Sequence, residues 1–381
     1  MIKVVCLSSV HPSDDVRIFH KECKSLSRAG YEVVLVIPHD RDEVIDGIRI
    51  RAVRRPRSRL ERVTQTLRDV LQAALAEGAD IYHFHDPELI VVGLLLKAIN
   101  RVPVIYDVHE HNPDAITERG WIPAALRQPL SKLFDRGETL TSRAFDAIIT
   151  ADDDVATQFR RDHPNVTILY NFPLRELYPG QPQARQVLAA DPLTLVYVGV
   201  MGRVRGLWLM LETMEILVGQ HQLDVELVLV GRIFDQREQQ MFQSYVAESP
   251  VLSKRVRWSG PVPQAQVPSV LANADIGWAP LFSIPKFHKN IPTKVFEYMA
   301  SALPIVASDL PPIRRFVEPA VAGRLAEPED PASHAAQVAY LAQCPDEARQ
   351  MGANGRKAFL HQFNWDSEAR KLVELYDVLI D

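Results

Sequence analysis

Within "NIPTKVFEYMASALPIVASD", residues 290–309, Asn290, Thr293, Lys294, Glu297 and Ser301 recur at three- and four-residue spacings, while Val295, Phe296, Met299 and Ala300 share an apolar arc. A helix with this pattern turns a polar face away from the core, and that face is equipped for anion binding. Residues 290–293 open the helix, where free N–H groups and the dipole favour negative charge, and Lys294 adds a point charge. Glu297, one turn further in, suits the vicinal hydroxyls of a ribose, because a carboxylate accepts two hydrogen bonds. A diphosphate beside a ribose is a nucleotide.

A second stretch, "YVGVMGRVRGL", places Gly199, Gly202, Arg203, Arg205 and Gly206 directly after an apolar run. The glycines do not follow the G-x-G-x-x-G spacing of hydride-transfer folds. Two arginines at a Gly-rich turn suit phosphate oxygens, which guanidinium groups pair bidentately; a solvated surface pair is the plain alternative.

The first half offers other groups. "SSVHPSDDVRIFHKE" carries Ser8, Ser9, His11, Asp14, Asp15 and Arg17 at a helix start, where capping by Asp14 or Asp15 and local pairing of Arg17 coexist with an acceptor-side role. "HFHDPE" supplies His83, His85 and Asp86; "YDVHEHNP" supplies Asp107, His109, Glu110 and His111. Their number and spacing do not specify a metal, and they read as the wall of a wet cleft, so no metal site is expected. "ADDDVA", residues 151–156, follows a strand and reads as a helix cap.

These residues need a scaffold. "IKVVCLSS", "YEVVLVIP", "DIYHFH", "PVIYDVHE" and "FDAIITA" are short β-rich runs separated by longer helical patterns, which predicts a first parallel sheet covered by helices on both faces. "LRELYPGQPQARQVLAADP", residues 174–192, reads as a linker. The alternation then restarts with "LTLVYVG", "DVELVLVG", "RVRWSG", "DIGWAP" and "LPIVASD", five strands of a second α/β domain. In both sheets, ligands belong at the carboxyl ends of the strands.

The 381 residues allow two full cores, and a net charge of −5 gives a general nucleic-acid role no support. Three scattered cysteines suit a reducing cytoplasm, and no apolar stretch is long enough to span a bilayer. Two segments suggest an anionic partner or membrane face. "RIRAVRRPRSRLER" carries Arg49, Arg51, Arg54, Arg55, Arg57, Arg59 and Arg62, and "GWIPAALRQPLSKLFDRG" sets Trp121, Ile122, Leu126, Leu130, Leu133 and Phe134 among Arg127, Lys132 and Arg136. A solvated loop and ordinary core packing are the respective alternatives.

"NIPTKVFEYMASALPIVASD", "YVGVMGRVRGL", "VELVLVGR" and "VVCLSSVHPSDDVRIFHKECKSLSRAGYEVVLV" together resemble the family 4 glycosyltransferases, in a branch working in bacterial surface-polysaccharide assembly. The resemblance implies an α/β GT-B fold, two Rossmann-like parallel-sheet domains facing across a cleft. Residues 1–172 would bind the acceptor, residues 173–363 the nucleotide sugar, and a helix over about 364–381 would pack back on the first domain. It further implies metal-independent transfer with retention, from a nucleotide-diphosphate sugar (UDP the default base, GDP next) to a saccharide or lipid-linked acceptor, with no separate cofactor, in the cytoplasm or at the inner membrane face.

By position, Glu297 matches the second glutamate of the family's E-x7-E motif, Arg205 the basic residue of the phosphate turn, and His109 the histidine ending a strand near the transferred sugar. Lys289 stands where the first glutamate falls, and Gly199 is followed by Val200 instead of arginine. The expected donor site is therefore Gly199, Arg203, Arg205, Lys289, Asn290, Thr293, Lys294 and Glu297. His109, Arg205 and Lys294 would be catalytic, and His11, Asp15, Arg17 and His85 would lie on the acceptor side. A GT-B sugar-nucleotide epimerase and a catalytically inactive sugar-binding subunit are the alternative readings.

Overall fold

The structure is a computed structural model describing residues 1–118, 122–180 and 192–380. It divides into two compact units, Met1–Asn171 with Trp365–Asp381, and Phe172–Asn364. The expected boundaries each lie one residue from these.

The first unit is built on β1 (Lys3–Leu7), β2 (Glu32–Pro38), β3 (Glu43–Ile45), β4 (Ile48–Val53), β5 (Ile81–Phe84), β6 (Val104–Val108), β7 (Ala147–Thr150) and β8 (Val166–Ile168). The sheet order is β3-β4-β2-β1-β5-β6-β7-β8. The inner strands are buried almost throughout and mostly apolar, as in a sheet covered on both faces, with His83 on β5 and Asp107 on β6 as polar exceptions. The expected all-parallel sheet is corrected at one edge, where β3 pairs antiparallel with β4 through Asp46 and Gly47, both at positive φ as a two-residue hairpin requires.

Around this sheet run α1 (Val16–Cys23, wound as a π-helix and continuing as Lys24–Arg28), α2 (Leu67–Glu77), α3 (Ile90–Asn100), α4 (Ala124–Ser142) and α5 (Asp153–Arg160). Asp15 caps α1 by accepting from the N–H groups of Arg17 and Ile18, and Asp152 caps α5 by accepting from that of Val155. The "ADDDVA" run is accounted for by that cap.

The second unit has β9 (Leu193–Val198), β10 (Val225–Val230), β11 (Val256–Trp258), β12 (Ile276–Ala279), β13 (Ile305–Ser308) and β14 (Gly323–Ala326), all parallel in the order β11-β10-β9-β12-β13-β14. The sixth strand, β14, was not expected. Of its helices, α6 (Leu207–Gly219), α7 (Lys294–Ala300) and α8 (Pro345–His361) bear on the site. The strand order reverses between β9 and β12, so a ligand crevice belongs at the carboxyl end of β9.

The expected linker is in part packed structure. Leu174 and Tyr178 are buried, and Arg356 of α8 donates to the Tyr178 carbonyl at 2.8 Å. Residues 181–191 of that segment, and Trp121, lie outside the described residues. The last helix, α9 (Trp365–Ile380), belongs to the first unit: Trp365 Nε1 donates to Ser25 Oγ at 2.9 Å, and the Tyr376 hydroxyl is 2.8 Å from His83 Nδ1. No described helix is long and apolar enough to cross a membrane.

Candidate functional site

In the second unit, β9 delivers the chain to Gly199 at φ +130°, and a short turn follows at Arg203–Arg205. Gly206, at φ +82°, closes that turn against β12. A Cβ there would lie 2.1 Å from the Pro280 carbonyl oxygen, so only glycine fits. The turn sets the Arg205 guanidinium 5.5 Å from the centre of the Phe287 ring.

Helix α7 begins at Lys294. Its apolar arc, Val295, Phe296, Met299 and Ala300, is buried as expected. Its polar face lines a cavity of about 360 Å³ with Gly199, Arg205, Gln264, Lys286, Asn290, Thr293, Lys294 and Glu297. Ser301 is buried and outside that lining. Thr293 provides no side-chain cap, so the first turn is left to another acceptor. The cavity gathers the cations Arg205, Lys286 and Lys294 around one carboxylate, Glu297, whose Oε1 accepts from Gln264 Nε2 at 2.8 Å. A phosphate-rich ligand carrying hydroxyls matches that distribution of charge.

Two expected donor residues are corrected. Arg203 and Lys289 do not line the cavity, whereas Lys286, one turn earlier in a short Pro285–His288 turn, does. Lys286 and Gln264 were missed because each sits in a single tight turn with no helical or strand period to mark its face.

Lys294 is almost fully buried, with Nζ 3.6 Å from the centre of the Tyr197 ring. Burial, reinforced by the nearby Arg205 charge and opposed by Glu297, holds its pKa well below the ordinary lysine value. A bound diphosphate favours the charged ammonium and raises that pKa again. Nucleoside diphosphate binding is therefore expected to take up protons between the free and bound values and to weaken as pH rises through them. Calorimetry in buffers of different ionisation enthalpy measures this; an enthalpy independent of buffer at every pH would mean that Lys294 does not change protonation.

In the first unit the strand ends converge on Asp107. Arg17 Nη2 lies 3.0 and 3.1 Å from its two oxygens, and His85 Nδ1 and His109 Nε2 each lie 3.4 Å from Oδ2. Burial opposes the Asp107 charge, but Arg17 and His109 outweigh it and hold the carboxyl well below its usual range. Burial likewise works against charge on His85, yet the bond to Asp107 and the charge of Glu22 raise it to about 10. His109 is pulled down to about 4, chiefly by burial and with Asp107 opposing. The geometry thus presents His109 as a neutral imidazole with 22% of its side chain exposed.

The residues expected on the acceptor side divide by exposure. Arg17 and His85 are buried behind Asp107, Asp15 is engaged as a cap and with His11 Nδ1 at 3.0 Å, and His83 is enclosed rather than part of a wet wall. His11 remains partly exposed, 5.4 Å from His109 between ring centres. It lines a second cavity, of about 550 Å³, with Ser9, Arg55, Arg57, Arg59 and Arg62.

The arginine-dense segment is not a bare cationic face. Arg49 pairs with Glu32, Arg51 with Asp42, Arg54 with Asp69, Arg55 with Asp40 and Arg62 with Glu88. On α4, Leu126, Leu130, Leu133 and Leu140 are exposed beside Lys132 and Arg136, while Ile122 is buried and Phe134 half-buried.

Residues 16–171 match the family model described as Glycosyl transferase 4-like domain, and residues 181–358 match Glycosyl transferases group 1. The chain is 23% identical over 309 residues to phosphatidyl-myo-inositol mannosyltransferase of Mycolicibacterium smegmatis, covering 80% of this chain and 73% of that protein. It is 30% identical over 158 residues to MMP alpha-(1->4)-mannosyltransferase of Mycolicibacterium hassiacum, covering 41% of this chain and only 36% of that protein's length.

Among solved structures, sucrose-phosphate synthase from Thermosynechococcus elongatus aligns with a TM-score of 0.76 at 19% identity, covering 100% of this chain and 99% of that one. HepE of Anabaena in complex with UDP-glucose aligns with a TM-score of 0.75 at 15% identity, covering 99% and 100%. These two establish the fold. Between them the two family models account for most of the chain, which thus belongs to the glycosyltransferases built from these two domains, on the GT-B fold.

Proposed function

We propose that the protein transfers a hexose from a nucleoside diphosphate sugar to a saccharide or lipid-linked acceptor with retention of configuration, in glycan or polysaccharide assembly. The observation that carries this is the cavity at the end of β9, where Arg205, Lys286 and Lys294 surround space bounded by Glu297. The cations take the diphosphate, and Glu297, oriented by Gln264, takes the ribose hydroxyls. The names of two relatives specify mannose transfer, and one structural neighbour held UDP-glucose, which supports a hexose donor with UDP as the first base to test.

Transfer on one face of the sugar lets the leaving diphosphate take the acceptor proton. Arg205 and Lys294 then stabilise the negative charge that develops on it, with no divalent metal required there. His109, neutral and held by Asp107, orients the sugar. The arginine-lined cavity beside His11 supports an acceptor bearing an anionic group, and the exposed leucines of α4 with Lys132 and Arg136 support peripheral contact with an anionic membrane. Salt-sensitive flotation with anionic liposomes tests that contact, and failure to float at low salt argues against it.

Titration with UDP, GDP, ADP and dTDP, with and without magnesium, tests the donor site. One base should bind selectively and without metal, and Glu297→Ala should weaken it by about 1.5–3 kcal/mol, the loss of hydrogen bonds to a charged acceptor. Equal affinity in wild type and Glu297→Ala would remove the ribose assignment, and binding of no nucleotide would sink the donor reading.

A further inference from the structure

Cys6 on β1 and His83 on β5 are direct neighbours in the parallel register, so their side chains leave the same face of the sheet, and His85, two residues on, shares it. One donor atom from each of the three lies within 4.8 Å of the other two, and all three residues are buried, at 0%, 0% and 3% exposure. The two imidazoles are arranged alike. His83 Nδ1 faces the Tyr376 hydroxyl at 2.8 Å, and His85 Nδ1 faces Asp107 at 3.4 Å, while Nε2 of each ring is buried without a hydrogen-bond partner. A ring held at one nitrogen by a hydroxyl or carboxylate, with the other nitrogen unmet, is the arrangement of a metal-ligating histidine and its outer partner.

The surroundings favour a cation. Glu22 and Asp107 lie within 4.8 Å of the same two histidines, and neither Glu22 oxygen accepts a well-formed hydrogen bond, although Arg17 Nε is 3.0 Å from one of them.

We propose that Cys6, His83 and His85 form a buried structural metal site in the first unit, taking zinc as the ion suited to one thiolate and two imidazoles. On binding, the Cys6 thiol and any protonated imidazole release their protons to solvent as the metal–sulfur and metal–nitrogen bonds form; no electrons are exchanged. The site is separate from the diphosphate cavity and places no metal in the transfer step.

The test uses the full chain, unfolded with chelator and refolded with Zn²⁺, with Co²⁺ or with neither. The proposal expects about one equivalent of metal per chain, a higher melting temperature with zinc, and a near-ultraviolet thiolate-to-cobalt band. Cys6→Ser should abolish the band. Tyr376→Phe, which removes only the outer partner of His83, should weaken zinc binding about 10–100-fold. Where Cys6→Ser does not fold, the wild-type cobalt spectrum and Tyr376→Phe decide. A wild-type chain that melts at one temperature with and without zinc, and gives no thiolate band with cobalt, overturns the site and leaves a hydrogen-bonded cluster.

Discussion

Lys294→Met lowers kcat/KM for sugar transfer by on the order of 10²–10³-fold, about 2.7–4 kcal/mol, the range for removing one preorganised group aimed at developing charge. Methionine keeps much of the aliphatic stem and can still pack on Tyr197, so the fold of α7 should survive and the loss should be electrostatic. The effect should fall more on turnover than on affinity for the intact UDP-sugar, because negative charge on the diphosphate grows as the sugar bond breaks. Lys294→Arg should not restore activity fully, since a planar guanidinium cannot occupy the enclosed position against the Tyr197 ring in the same way. Steady-state kinetics with wild type and both variants checks this, and a near wild-type kcat/KM for Lys294→Met would remove Lys294 from the transfer step.

Asp107→Ala has its largest effect on stability. Asp107 is fully buried and is met by Arg17, His85 and His109. Removing one partner of a buried ion pair leaves uncompensated charge and costs about 3–5 kcal/mol. For a unit of this size that lowers the melting temperature by roughly 6–20 °C. The sign with pH follows from the depressed carboxyl: the contribution is complete above the unfolded value of about 3.9 and is lost only as pH falls through the lower folded value. Wild type and variant should therefore differ fully at neutral pH and converge only in strong acid. A melting temperature unchanged at pH 7 would mean that Arg17 and His85 are satisfied without Asp107.

The α/β alternation was legible because buried parallel strands read as apolar runs between helical periods. "LTLVYVG" and "DVELVLVG" became the paired strands β9 and β10. β14 was not legible, since "GRLA" is four residues with only its last residue buried, and β3 is shorter still. The polar stripe of α7 was read from spacing alone, and most of it does line one cavity. The corrections share a cause: they depend on partners distant in sequence. Arg54 meets Asp69 across 15 residues, and Arg17 meets Asp107 across 90, pairings that no local period encodes. The burial of His83 and His85 likewise depends on α1 and on Tyr376 of α9.

That last partnership has a consequence for how the chain is made. The first unit is assembled from two stretches of chain separated by all of residues 172–364. At about 5–20 residues per second, a ribosome takes roughly 10–40 s to deliver the intervening unit. Throughout that interval the sheet face around His83 waits without Tyr376, and Ser25 waits without the Trp365 indole. The unit synthesised first is thus the last to close, and its exposed face is the place where a nascent-chain chaperone has the longest opportunity to bind.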